Sequence, residues 1–395
     1  MAQTQALAGT RDRGLALTFI GLWATVFCAF LALGAVLPAL PRFVRGPVGA
    51  GDFAVGLVVT ASSIAALLTR PVAGYLAEAR GRRRVMLAGA ALMAVGGAGY
   101  LFAASVPALV GVRLVLGLGE ACMFTSGSVW VILIAPPERR GQLIGWYGVS
   151  QWFGLTLGPL VGSALLGMSG YQAVWAFAAL APLAGVAVCA WLVDRPSLGA
   201  RAAFHLLPRP AIGPGLALAL ASSGYATLAA FVVLLLARQH AGNGAVPFAI
   251  FAASYVGTRF ALGHLPDRLG PGRVGLVAGL GEAAGLLLIA LGGSPWTAAL
   301  GALVMGTGFS LVYPSLALMV IRGSREGERG AAIGAYTSFW DLGLALSGPG
   351  IGTVAAAAGY TVAFETAAVC ALVAGLLSAG LGLAGYRSTS TSRSR

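Results

Sequence analysis

The apolar positions of this chain follow almost no short period. Long, evenly apolar runs are separated by brief polar breaks, without the two-residue rhythm of half-buried strands or the 3.6-residue rhythm of amphipathic helices. Residues 15–41, 85–112 and 141–193 carry no charged side chain. A run of about 18 or more apolar residues is long enough to cross a bilayer as a helix. Divided at its glycine, proline and arginine clusters, the pattern predicts twelve membrane helices. They fall at 15–38, 53–77, 85–104, 107–133, 141–165, 171–193, 214–237, 246–265, 274–292, 295–321, 330–356 and 361–385. An even number of spans puts both termini on one side.

Composition excludes a soluble fold. Only 9% of the 395 residues are charged and 58% are hydrophobic, whereas soluble domains carry about 25% charged residues. The N-terminus MAQTQALAGTRDRG is polar, and the apolar run after it exceeds the roughly 7–15 residues of a signal-peptide core, so it reads as a first helix that is retained. Cys28, Cys122, Cys189 and Cys370 lie in apolar spans without motif spacing; they read as small buried apolar residues.

Charge then orients the spans. Every basic residue is arginine, so no lysine mechanism is available. On one side fall Arg11, Arg13, Arg80, Arg82, Arg83, Arg84, Arg139, Arg140, Arg195, Arg201, Arg209, Arg268, Arg273, Arg322, Arg325, Arg329, Arg387, Arg393 and Arg395. The other side has Arg42, Arg45 and Arg238, while Arg70, Arg113 and Arg259 fall within spans. The arginine-rich side is expected to be cytoplasmic, which puts both termini there, in a multi-pass protein of the cell membrane. Topology thus accounts for the net charge of +13, and nucleic acid is not expected as a partner.

An internal repeat organises the chain. RPVAGYLAEARGRRR at 70–84 aligns with RFALGHLPDRLGPGR at 259–273 at an offset of 189. The same offset pairs Gly117 with Gly306, Gly119 with Gly308, Gly141 with Gly330, Gly145 with Gly334, Tyr147 with Tyr336 and Gly154 with Gly343. Gly170-Tyr171 pairs likewise with Gly359-Tyr360, and Gly158-Pro159 pairs with Gly348-Pro349 after a one-residue slip. The expected organisation is a six-helix half at 1–193, a cytoplasmic linker at 194–213 and a second half with a short tail at 214–395. Six is even, so the halves are parallel repeats, an arrangement suited to alternating access around a site at the membrane midplane.

At these residues the chain resembles the major facilitator superfamily along its whole length, with an all-α fold of twelve transmembrane helices in two parallel six-helix repeats. The family's loop motif G-x-L-a-D-r-x-G-r-r is matched by Gly74, Leu76, Ala77, Glu78, Gly81, Arg82 and Arg83, with Glu78 in place of Asp and Ala79 in place of a basic residue. The second copy keeps Gly263, Asp267 and Arg268 but has Pro271-Gly272 where the basic pair stands. Arg113, Gly117 and Gly119 resemble the helix-four motif, with Leu116 at its polar position. GLTLGPLVG at 154–162 (Gly154, Gly158, Pro159, Gly162) resembles the helix-five motif of the family's drug/proton antiporters, and LGAVLPALP at 33–41 another exporter pattern. The resemblance implies a loop clasp built on Glu78 and Gly81, and a bend at Pro159.

Ionisable groups inside hydrocarbon are costly and are functional candidates by default. Glu120 lies two turns after Arg113 on one helix face, about 10 Å along the axis; it is the candidate proton-coupling carboxylate and Arg113 its electrostatic partner, the alternative being a wet-cavity contact. Asp341 in helix eleven is a proton- or cation-binding candidate, or a packing residue. Glu282 reads as a packing or lipid-interface residue, and Glu365 is given no role. Arg70 and Arg259, at one repeat position, read as buried structural arginines. Trp23, Phe124, Tyr147, Trp152, Tyr336 and Trp340 are candidates for a cavity suited to a bulky, partly apolar substrate; each can equally be packing.

Three histidines at loops or span ends, with no metal-ligand or nucleophile constellation, argue against an enzyme, and no P-loop is present for ATP-driven transport. No metal or cofactor is expected. The reading is a secondary active transporter, working as a monomer in a lipid bilayer with protons and a small-molecule substrate: proton-coupled efflux (antiport) of amphipathic drugs or secondary metabolites. The alternative is a proton symporter for a small organic anion or nutrient, since GLGEA at 117–121 also resembles family uptake transporters.

Overall fold

The computed structural model describes residues 2–136, 139–194, 208–242, 244–325 and 329–393. Most of the expected linker, residues 195–207, lies outside them. In chain order the helices are α1 (Ala2–Val36), α2 (Leu40–Arg45), α3 (Asp52–Arg80), α4 (Arg82–Gly99), α5 (Val106–Ile134), α6 (Arg140–Trp191) and α7 (Arg209–Arg238). There follow α8 (Ala245–Leu262), α9 (Leu265–Leu269), α10 (Pro271–Leu291), α11 (Pro295–Gly323), α12 (Arg329–Ala358) and α13 (Tyr360–Arg393). Among the described residues every regular element is a helix. Nine stretches of the described residues are long and apolar enough to cross a membrane. One of these, Leu143–Trp191, holds two spans, and α4 and α12 complete the twelve.

The boundaries differ from the sequence pattern where glycine or proline acts. Spans five and six form one helical run, α6, whose non-helical residue is Gly170 at φ 71° and ψ −165°. Its repeat partner Gly359, φ 89°, separates α12 from α13. Pro159, where a bend or break is expected, lies inside α6 with helical backbone, and the non-helical residue of the run, between spans five and six, is Gly170. Glycine is the residue that enters positive φ without a Cβ clash. The span expected at 246–265 stops at Leu262, because Pro266 sits in the first turn of a new short helix, α9. The span expected at 85–104 stops at Gly99, and α1 starts well before the expected residue 15.

Contacts divide the chain into two compact units. Unit 1 is Met1–Val36, Ala65–Ala103 and Gly111–Arg201; unit 2 is Leu37–Ile64, Ala104–Val110 and Ala202–Arg395. The division cuts α3 and α5, whereas the repeat divides the sequence between helices.

Glycine seams hold each unit. Small residues let membrane helices approach closely, which is how they gain packing where no hydrophobic force acts between them. In unit 1 the GLTLGPLVG segment lies on α1. A Cβ on Gly154 would sit 2.7 Å from the Leu31 nitrogen, and one on Gly158 2.6 Å from Gly34 Cα. In α4 and α5, a Cβ on Gly119 would lie 2.7 Å from the Gly89 carbonyl and 2.9 Å from the Met93 nitrogen. Unit 2 repeats this seam between α10 and α11: a Cβ on Gly308 would meet the Ala278 carbonyl at 2.6 Å and the Glu282 nitrogen at 2.5 Å. Gly279 and Gly375 join α10 to α13, Gly343 joins α12 to α7, and Gly56 of α3 meets Gly348 of α12.

Candidate functional site

Within unit 1, α3 and α5 bring Arg70 and Glu120 together. The Arg70 Nη2 lies 3.6 Å from Glu120 Oε1, and the two side chains keep 18% and 17% of their surface exposed. The sequence pattern instead makes Arg70 a structural arginine and Arg113 the partner of Glu120. In the fold Arg113 is buried, with the Tyr100 hydroxyl as an electrostatic neighbour. Helical periodicity reports only neighbours on one helix, so the contact from α3 is not legible in it.

The 3.6 Å spacing exceeds the 2.7–2.9 Å of a tight charge-assisted hydrogen bond. The contact joins α3 to α5 by charge. An Arg partner stabilises the carboxylate, desolvation opposes it, and a pair that loosens or tightens changes the balance between them.

Arg259, at the repeat position of Arg70, is engaged differently. Its Nη2 donates to the Tyr255 hydroxyl at 2.7 Å, and its guanidinium lies over the Tyr255 and Tyr313 rings at 5.2 and 5.9 Å. Asp341 is buried in α12 beside Trp340, whose ring packs on Phe309 at 5.4 Å and Tyr225 at 5.6 Å.

The other aromatic candidates divide into two kinds. Tyr147 and Tyr336 are buried, and each hydroxyl donates to the same repeat carbonyl: Tyr147 to Phe124 at 3.1 Å, Tyr336 to Tyr313 at 3.0 Å. The ring pairs also match, at 5.1 and 5.2 Å. These two tyrosines pin one helix to another in each half. Trp23 is half-buried, stacked on Phe27 at 5.4 Å and tilted on Phe153 at 6.0 Å; Trp152 is half-buried on α6.

The loop motif forms a clasp whose acid lies elsewhere in sequence. Gly81 and Gly270 hold the same turn, at φ 96°, ψ 134° and φ 92°, ψ 134°. Glu78, Asp267 and Arg268 are exposed, and Gly74 and Gly263 are half-buried or exposed beside them. Arg82, nearly buried, donates to Asp194 Oδ1 from Nη2 at 2.8 Å and Nε at 3.0 Å. The Arg83 backbone N–H donates to Asp194 Oδ2 at 3.2 Å, and its guanidinium to the Ala190 carbonyl. Asp194 stands just past the end of α6, where the sequence pattern assigns it to the linker. The signal that could have found it is an acid placed directly after an apolar span.

A second cluster that sequence reasoning misses lies in unit 2. The Tyr360 hydroxyl donates to Asp52 Oδ1 at 2.8 Å, Arg45 Nε lies 3.3 Å from the same oxygen, and the Arg238 guanidinium sits 4.5 Å over the Tyr360 ring. Asp52 is in the first turn of α3, where the helix dipole favours an anion. Among the described residues no group of three or more His, Cys, Asp or Glu side chains could hold a metal ion.

Twelve apolar helices in a duplicated six-helix pattern, with ionisable groups inside the spans, define a polytopic membrane carrier. The profile of the Major Facilitator Superfamily matches residues 22–348 and 215–394, and the chain belongs to that family. It is 32% identical over 367 residues to the uncharacterized MFS-type transporter YhhS of Escherichia coli (strain K12), covering 89% of each chain. The fold is that of the human organic anion transporter MFSD10 (TETRAN), with TM-score 0.69, 21% identity, and 92% and 99% of the two chains covered. It is also that of a mutant of the nucleoside transporter NupG, with TM-score 0.77, 15% identity, and 92% and 99% covered.

Proposed function

We propose that this transporter exports small amphipathic drugs or secondary metabolites in exchange for protons, by alternating access. The observation that carries this reading is the Arg70–Glu120 pair: an ion pair at 3.6 Å, partly exposed, joining α3 to α5. A proton on Glu120 releases Arg70; loss of the proton restores the pair. Protonation is thereby tied to the seating of α3 against α5 in unit 1. Asp341 is the second coupling candidate. The close seating of Gly154, Gly158 and Gly162 on α1 supports a seal in the exporter motif. The arginine asymmetry supports a cell-membrane protein with both termini cytoplasmic.

The test is exchange in proteoliposomes under an imposed pH gradient, read with a panel of fluorescent lipophilic cations. Cation movement against protons is expected, and Glu120→Gln should lose it. Asp341→Asn separates the second candidate. If no panel member exchanges for protons while an organic anion accumulates with them, the export reading fails. That outcome supports the second reading, a proton-coupled symporter for a small organic anion or nutrient. Its favouring observation is Arg70 itself, a fixed cation within a membrane span.

A further inference from the structure

Glu282 sits at the middle of α10 with no exposed surface, and neither carboxyl oxygen has a hydrogen-bond partner. A buried carboxyl without partners is among the more costly arrangements a fold can carry, above all in its charged form. Its surroundings are shaped to it. The carboxyl Oε1 fills the space where a Cβ of Gly224 on α7 would stand, beside Leu286 and Met305. On α11, Gly308 packs against the Glu282 backbone.

The internal repeat supplies a control. At the offset of 189, Glu282 corresponds to Met93, Gly308 to Gly119 and Gly224 to Ala35. The first-half seam, Gly119 on Gly89 and Met93, has the same geometry with a methionine. Packing of this seam is therefore met by an apolar side chain of similar length. The second half differs by an acid and by a glycine that clears room for it, and packing requires neither change.

We infer that Glu282 is a proton-binding site of unit 2, distinct from Glu120: its neutral carboxyl seats against Gly224 between α7 and α11, and it leaves that seat when it gives up the proton. The proton comes from water and returns to it; only the O–H bond is made or broken. Among the described residues packed around it, no cation stands by to replace the proton. Arg273 lies nine residues away on α10, and Arg209 and Arg238 lie at the two ends of α7. Tyr225 of α7 turns into the rings of Phe248, Phe251 and Trp340. On α11, Tyr313 packs on Tyr336 and Arg322 is in the last turn. On α13, Ala371 and Gly375 meet Gly279 of α10, and Glu365 and Cys370 are partly exposed.

Polar side chains lie along α10 toward the N-terminal end of that helix. Gly275, two turns before Glu282 and about 10 Å along the axis, is flanked by Ser378 and Ser315, and the buried Ser315 Oγ also has no partner.

The inference shares the proton with the proposed export reaction but does not rest on its direction or substrate. The experiment is pH-difference infrared spectroscopy of the full-length protein in liposomes without substrate. Wild type and Glu120→Gln should show a protonated-carboxyl band that Glu282→Gln and Glu282→Met both lose. Glu282→Met copies the first half and tests the acid with packing preserved; Glu282→Gln keeps the shape. An unchanged band in both variants overturns the inference. In the transport assay, Glu282→Met should carry substrate with a shifted pH profile, and a wild-type profile counts against the site. Failure of proton-driven export leaves the infrared result standing, so the two readings fail separately.

Discussion

Removing Asp194 tests whether the arginine run after Gly81 is a clasp or only a charge anchor. As an anchor, Arg82 and Arg83 need no fixed partner, and Asp194→Ala should leave stability unchanged. The structure gives the carboxylate three donors: two from the Arg82 guanidinium, at 2.8 and 3.0 Å, and the Arg83 backbone N–H at 3.2 Å. Arg82 and Asp194 side chains keep 7% and 12% of their surface. Stranding one partner of a fully buried pair costs about 3–5 kcal/mol, and a hydrogen bond to a charged group contributes about 1.5–3 kcal/mol. With solvent at the helix end, the expected loss for Asp194→Ala is about 2–3 kcal/mol. A double-mutant cycle with Arg82→Ala isolates the pair, and the double variant should recover roughly 1–2 kcal/mol of the summed single losses. The assay is the thermal unfolding midpoint of the purified full-length protein in detergent, with amide exchange at the start of α4 as the local readout. Wild-type stability in Asp194→Ala, or simple additivity in the double variant, would refute the clasp.

Other substitutions follow the same geometry. Gly81→Ala and Gly270→Ala should each cost about 1–2 kcal/mol, since both turns hold a positive φ that an L side chain resists; equal midpoints for wild type and variants would remove that argument. Gly162→Ala should lower stability by roughly 1–3 kcal/mol because its Cβ runs into the Ala35 carbonyl, while Gly167→Ala, with nothing within 4 Å, should be neutral by the same measurement. Tyr360→Phe should lose about 1 kcal/mol with its bond to Asp52 at 2.8 Å, and the loss should vanish in an Asp52→Ala background, which removes the acceptor.

The spans, their number and the repeat are legible in the sequence because apolar length and glycine spacing are local quantities. Helix ends are less so: the repeat marks Gly170 and Gly359 together, and both take positive φ, but α1 and α8 begin or end away from where the apolar pattern puts them. The pairs that give the site its chemistry are mostly illegible, because each joins helices far apart in the chain. Helical spacing assigns Glu120 to Arg113 on its own helix, and the contact that α3 adds through Arg70 cannot be read from that spacing. Asp52 and Asp194 escape notice because each stands at a helix end, where an acid looks like a boundary.

The repeat separates what the fold requires from what the chemistry adds. Features kept in both halves are geometric: the turns at Gly81 and Gly270, the tyrosine bonds from Tyr147 and Tyr336, and the seams at Gly119 and Gly308. Features present in one half are charged. Arg82 and Asp194 correspond to Pro271 and Leu383, Met93 corresponds to Glu282, and Glu120 corresponds to Phe309. Arginine stands at 70 and 259 in both halves, but only in the first does an acid at 120 meet it; in the second, tyrosines take its place. Two copies of one helix pattern thus share a scaffold and differ in where each carries charge.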